Sequence, residues 1–248
     1  MAFYFADKKG DPLMGKIRLR DISSRAKQWD HPMKGVFKSA TVIQQLEGDI
    51  FKAPKKEREQ FCTSLFALAF KADSGKDWWT NMPTEEPPDG LAMTFIEEKK
   101  GGYMGYLREL EIVEHRGISE DLFKVIRNKM TKYNYGSETV LVCLALSPDV
   151  YNLELLSKAI NSVTSTLEHV FIVFSGVVAI LDKNSSLPAR VPKRYTMVQL
   201  KPVFQSVTFD IGPHMEDFKT RYNLGQESRL IEGDSIYFGT SNTSHKKQ

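Results

Sequence analysis

Cysteine is nearly missing from this chain, with two in 248 residues, Cys62 and Cys143. Two lone thiols in apolar runs make neither a zinc cluster nor a disulfide framework. They are expected as small buried groups in a reducing, intracellular compartment. An excess of one charge is also missing: 34 Lys and Arg against 31 Asp and Glu leave a net +3. That permits a polyanionic partner without requiring one. The longest apolar run, Val170 to Leu181, is broken by Ser175-Gly176. It falls short of the roughly 20 residues of a bilayer span, so no membrane partner is expected. Met1 to Lys9 lacks a basic stretch followed by an apolar one, so no secretory signal is expected. The five histidines, His31, His115, His169, His214 and His245, show no metal-ligand spacing. Neither a Gly-x-Gly-x-x-Gly or Walker loop nor a Gly-x-Ser-x-Gly elbow occurs, which removes the usual support for a nucleotide-binding protein or a serine hydrolase.

What is present is an ordinary globular balance, 41% hydrophobic and 26% charged, with 15 Phe, 9 Tyr and 3 Trp for a core. Pro54 to Lys71 carries Phe61, Leu65 and Leu68 at helical spacing, with Cys62, Phe66 and Ala69 widening the stripe, and predicts a largely buried helix. Leu91 to Lys99, Gly101-Gly102 and Tyr103 to Val113 predict a β-hairpin. On its return strand Glu109 and Glu111 alternate with Leu110 and Ile112, the pattern of a half-exposed strand. Ser119 is the expected N-cap of a helix bearing Leu122, Val125, Ile126 and Met130. Thr139 to Leu146 is a continuous apolar run, expected as a central strand, followed by a helix over 152–166 and a strand from His169 to Phe174. Further strands are expected at Val177 to Leu181, Tyr195 to Leu200, Val203 to Ile211 and Ser235 to Phe238, with a short helix at His214 to Tyr222. The order predicts an α/β fold with a mixed central sheet flanked by helices. A basic segment, 1–55, would pack on an α/β core, 56–182. A β-rich extension, 183–238, and a disordered tail, 239–248, would follow.

The densest chemistry lies in Pro87-Pro88-Asp89-Gly90 and the apolar run that ends in Glu97-Glu98-Lys99-Lys100. Along a strand Glu97 and Lys99 share a face with Met93 and Phe95. Asp89 and Glu97 are hard oxygen ligands suited to Mg²⁺, with the backbone carbonyl of Glu98 as a further ligand. Lys99 would orient an attacking water and offset phosphate charge. Eight residues of straight strand, however, separate Asp89 from Glu97 by roughly 26 Å. Sharing one ion therefore requires the chain to reverse after Gly90. Asp73 or Asp77 could instead supply the first carboxylate, and a site built on the return strand would pair Asp89 with Glu109 and Glu111.

Pro88-Asp89 followed by Glu97-x-Lys99 at the end of an apolar strand resembles the signature of the PD-(D/E)xK nuclease superfamily. Pro-Asp-Gly, acid-x-Lys and then Gly101-Gly102-Tyr103 is also similar to the cleavage domains of type IIS restriction enzymes. The resemblance spans about Glu57 to Phe174. It implies a restriction-endonuclease-like core and Mg²⁺- or Mn²⁺-dependent hydrolysis of nucleic acid, with DNA placed ahead of RNA and a homodimer as one assembly. It also implies a supporting acid on the preceding helix, where Glu57 is the candidate. Lys124, Arg127, Lys129 and Lys132, with Tyr133 and Tyr135 beyond them, form a basic helix face suited to a nucleic-acid backbone. The competing expectation is a charged hairpin tip on a non-catalytic α/β accessory protein, viral or bacterial, that binds nucleic acid or a protein partner.

Overall fold

The computed structural model describes residues 16–18, 28–45, 50–84, 87–97, 103–117, 119–145, 151–175, 194–212 and 235–237. Among these residues the fold is α/β, with ten strands in one mixed sheet and four α-helices. The strands are β1 (Lys16–Arg18), β2 (Gln28–Asp30), β3 (Trp78–Asn81), β4 (Gly90–Glu97), β5 (Tyr103–Glu114), β6 (Thr139–Leu144), β7 (Val170–Ser175), β8 (Arg194–Lys201), β9 (Gln205–Asp210) and β10 (Ser235–Tyr237). The helices are α1 (Pro32–Gln45), α2 (Lys55–Ser74), α3 (Leu122–Met130) and α4 (Leu153–Asn161).

Across the sheet the strands run β10-β2-β3-β4-β5-β6-β7-β8-β9, and β1 pairs with β5. The β5–β6 and β6–β7 pairs are parallel. Parallel neighbours need a crossover, and α3 and α4 supply the two. The expected hairpin is β4–β5, antiparallel from Gly90↔Leu110 to Glu97↔Tyr103. Beyond β7, strands β8 and β9 extend the same sheet.

Alternate residues of the central strands serve two cores. Val140, Val142, Leu144, Phe171 and Val173 face α2, which is buried continuously from Phe61 to Phe70. A helix apolar around its whole girth needs cover on both sides, and Met33 and Val36 of α1 join the same core. Leu141, Cys143, Val170 and Ile172 face the other way, onto Leu122, Ile126 and Met130 of α3 and Ile160 of α4. The sheet is thus covered on both faces, as parallel strands require.

Several boundaries differ from the sequence expectations for local reasons. Helix α1 was not expected, because Asp30-His31-Pro32 reads as a turn. Pro32 is instead the first helical residue, where its missing N–H leaves no hydrogen bond unmade. The N-cap of α3 is Asp121 rather than Ser119, its carboxylate accepting from the Lys124 N–H at 3.2 Å. Helix α4 ends at Asn161, short of the expected 166. Beyond it the hydroxyls are engaged elsewhere, with Ser165 donating to the Met130 carbonyl at 2.6 Å and Thr166 accepting from the Tyr135 N–H at 2.8 Å. The expected strand at 177–181, helix at 214–222, turn at 101–102 and tail at 239–248 lie outside the described residues. Among the described residues no helix is long and apolar enough to cross a membrane.

Helix α2 lies directly against the sheet at Gly90. A Cβ there would stand 2.1 Å from Thr63 Oγ1 and 3.1 Å from Thr63 Cγ2. Neither the buried helix nor a paired strand can retreat freely, so Gly90→Ala is expected to cost about 1–3 kcal/mol of stability. Thermal or urea denaturation measures that loss, and Thr63→Ala in the same chain should return part of it.

Both thiols are fully buried, and burial first of all pushes the pKa of Cys62 and of Cys143 well up. A thiol that cannot ionise is a poor nucleophile. Thiol-specific reagents at mildly alkaline pH are expected to label neither cysteine in the folded protein and both after unfolding.

Candidate functional site

The β4–β5 pairing ends at Gly90↔Leu110, and Asp89 is the residue just before it. Its N–H donates to the Leu110 carbonyl at 2.9 Å, and its carboxylate accepts the Ile112 N–H at 2.7 Å. The Asp89 side chain therefore lies at the end of β4 against the Leu110–Ile112 stretch of β5, within reach of helices on both faces. Asp89 and its neighbour Glu111 on β5 are both buried, 7% and 4% exposed. Neighbouring like charges repel, and burial raises the cost of each, so a cation is needed.

Two ammonium groups supply it. Lys129 of α3 lies 2.7 Å from Glu111 and 3.9 Å from Asp89. Lys55 of α2 lies 3.0 Å from Glu59 and 3.9 Å from Asp89. Glu59 is itself buried. The Gly90–Thr63 contact fixes this arrangement, because Thr63 stands one turn beyond Glu59 and donates to its carbonyl at 2.8 Å. Asp89 is the hub that both lysines approach, and the separation of the Asp89 and Glu111 oxygens cannot exceed the sum of their distances to Lys129.

The cluster continues into the segment after α3. The Tyr135 hydroxyl donates to the Lys129 carbonyl at 2.8 Å. Burial first, then the Glu111 carboxylate, the Tyr133 phenol and the Asp89 carboxylate, push the Tyr135 pKa up to about 12. The phenol thus stays protonated near the acids. Glu109, on the same face of β5, accepts from the Thr139 hydroxyl at 3.3 Å.

Only part of the expected site converges. Asp89 is central, whereas Glu97 stands at the far end of an unbroken β4 and pairs with Tyr103. The chain does not reverse after Gly90, so Asp89 and Glu97 are not brought together, and Glu111 shares Lys129 with Asp89 instead. Glu98 and Lys99 lie outside the described residues. Glu57 is not the helix acid beside Asp89. It is turned toward α1, with Lys38 3.5 Å away and its carbonyl accepting from Ser39. Glu59 takes the place beside Asp89. Asp77, the upstream alternative, is exposed and pairs with Lys71 at 2.7 Å. Of the basic helix face, Lys124 and Arg127 are exposed, but Lys129 is turned inward onto the carboxylates. The ammonium of Lys132 sits 4.9 Å from the Tyr133 ring centroid.

Sequence reasoning placed Glu111 on an exposed face because its strand alternates. Alternation identifies the two faces of a strand but not which of them a later helix covers. No local signal marks Glu59 within Lys55-Lys56-Glu57-Arg58-Glu59. Lys129 likewise reads as one of several lysines on α3.

Chemically the cluster is a set of hard oxygen donors with mobile cations among them. Among the described residues no three Asp, Glu, His or Cys side chains stand close enough to hold one metal ion. Asp89 and Glu111 could together offer Mg²⁺ two carboxylates, since that ion takes one or two from protein and completes its shell with water or substrate phosphate. Compared with known proteins, the chain matches no family model, and no curated protein or solved structure matches it. Fold and site together define a class only: an α/β protein with a buried carboxylate pair, held by its own lysines, where β4 meets two helices.

Proposed function

We propose that this chain is a metal-dependent nuclease of the PD-(D/E)xK type, with Asp89 and Glu111 as the metal-binding acids. The observation that carries the reading is the convergence of these two buried carboxylates on one ammonium, with Lys129 3.9 Å from Asp89 and 2.7 Å from Glu111. The element order α2, β4–β5 hairpin, α3, β6 supports a restriction-endonuclease-like core. Asp89 follows Pro88 as the superfamily signature requires. The second acid lies on the return strand as Glu109-x-Glu111, and the lysine comes from α3.

A divalent ion at such a pair polarises a phosphoryl oxygen and lowers the pKa of a bound water. The residues of the chain have distinct parts in this. Asp89 is held in one orientation by the Ile112 N–H, and Glu111 is presented by β5 beside the same Lys129 ammonium. Glu59 adds negative charge from α2. Asp89 and Glu111 would hold the ion, and Lys129 would then be free to offset charge on a phosphate oxygen. DNA, with RNA as the second substrate, is the expected polymer. The test is cleavage of plasmid and of single-stranded oligonucleotides with Mg²⁺ or Mn²⁺. Absence of cleavage on every substrate would remove this reading.

One observation favours a second reading. Lys55 and Lys129 already neutralise the acids as they stand, and no three-ligand group is present among the described residues. On that reading the cluster is an ion-pair network tying α2 and α3 to the sheet in a non-catalytic protein. Calorimetry with Mn²⁺ separates the two readings. The nuclease reading expects binding that Asp89→Asn and Glu111→Gln each abolish, and the structural one expects none.

A further inference from the structure

Tyr133 is 53% exposed, a large ring left in solvent directly after α3. Its position is not that of a loose surface residue. The ring stands edge-on to Tyr135, with centroids 5.9 Å apart and planes at 88°. Tyr135 is tied down at both ends, its hydroxyl to the Lys129 carbonyl at 2.8 Å and its N–H to Thr166 Oγ1 at 2.8 Å. Lys129 is the residue whose ammonium contacts Asp89 and Glu111. A short, rigid relay thus runs from the exposed ring to the carboxylate pair. The ammonium of Lys132 lies 4.9 Å from the Tyr133 centroid, and Lys124 and Arg127 are exposed on the helix just before it.

An exposed, braced aromatic ring flanked by cations offers stacking to a flat base and charge to the phosphates on either side. Bases in a duplex are stacked on one another and have no free face to give such a ring. We infer that Tyr133 is a base-stacking platform beside the Asp89–Glu111 pair and that the polymer it takes is single-stranded nucleic acid. This rests on the proposed nuclease site for its chemistry, but the binding it describes does not depend on cleavage. Lys132 and the exposed Lys124 and Arg127 track the backbone, and the unpaired base on Tyr133 sets which stretch of strand lies at the acids.

Fluorescence anisotropy of the full-length protein, in EDTA to prevent hydrolysis, tests this with labelled single-stranded and duplex oligonucleotides of equal length. The single strand should bind more tightly, Tyr133→Ala should lose about tenfold in affinity for it, and Tyr133→Trp should keep it. The melting temperature of Tyr133→Ala should match that of the parent, because the ring is exposed. Equal affinity for both forms, tighter binding of duplex, or full affinity in Tyr133→Ala would each overturn the inference. A parallel Mn²⁺ cleavage assay keeps the two ideas apart. Tyr133-dependent binding without cleavage removes the nuclease reading and upholds the platform. Cleavage indifferent to Tyr133 removes the platform alone.

Discussion

Glu111→Gln is expected to abolish metal-dependent cleavage while leaving the fold intact. Gln keeps the size of the side chain and one acceptor oxygen for Lys129 but removes the charge a divalent ion needs. Metal-ion stabilisation of a phosphoryl transition state amounts to several kcal/mol. Its loss corresponds to a rate reduction of about a hundredfold or more. Asp89→Asn should do the same, because Asp89 and Glu111 share one lysine. Glu97→Gln, at the other end of β4, should leave the rate within about twofold, since a change far from the reacting atoms seldom alters it. Rates from oligonucleotide cleavage in Mn²⁺, at matched folded fraction, decide the matter. A Glu111→Gln enzyme as fast as the parent would discard the site.

Lys129→Met should be among the most destabilising single changes at this site. It leaves two buried carboxylates close together without the nearer of their two cations, Lys55 remaining 3.9 Å from Asp89. Removing one partner of a buried charge pair costs about 3–5 kcal/mol. In a chain of this size that is a fall in melting temperature of roughly 6–20 °C. The double variant Lys129→Met/Glu111→Gln should be more stable than Lys129→Met alone, because one of the repelling charges has gone. Melting curves of the two single variants and the double provide the comparison. If Lys129→Met melts with the parent, the lysine is not the counter-ion its position implies.

The hairpin was legible because its signals are local: an apolar run, a glycine pair, and an alternating return strand. Helix α2 was legible for the same reason, with Phe61, Leu65 and Leu68 recurring at helical spacing over about two turns. Asp89 was found because a rigid diproline followed by an acid is visible without a fold. Glu111 entered only as an alternative, with Glu109, for a site built on the return strand. The first choice of partner for Asp89 was sought along the same strand, eight residues on, where the chain has no bend. The acid that shares Lys129 with Asp89 lies on β5, 22 residues away in sequence, where only the tertiary fold can bring it.

The sequence by itself determined the class of this protein: alternating helical and strand periods, two buried runs for the parallel strands, and enough apolar surface to cover a sheet on both faces. Those are properties of neighbouring residues, and neighbours carry them. Which acids meet was decided only by tertiary structure. The antiparallel pairing of β4 with β5 brings Asp89 to the Leu110–Ile112 stretch that carries Glu111, the absence of a side chain at Gly90 lets α2 bring Glu59 alongside, and the crossover of α3 returns Lys129 to both. Charge repulsion and desolvation act through space, so their balance appears only when three distant segments are folded to one point.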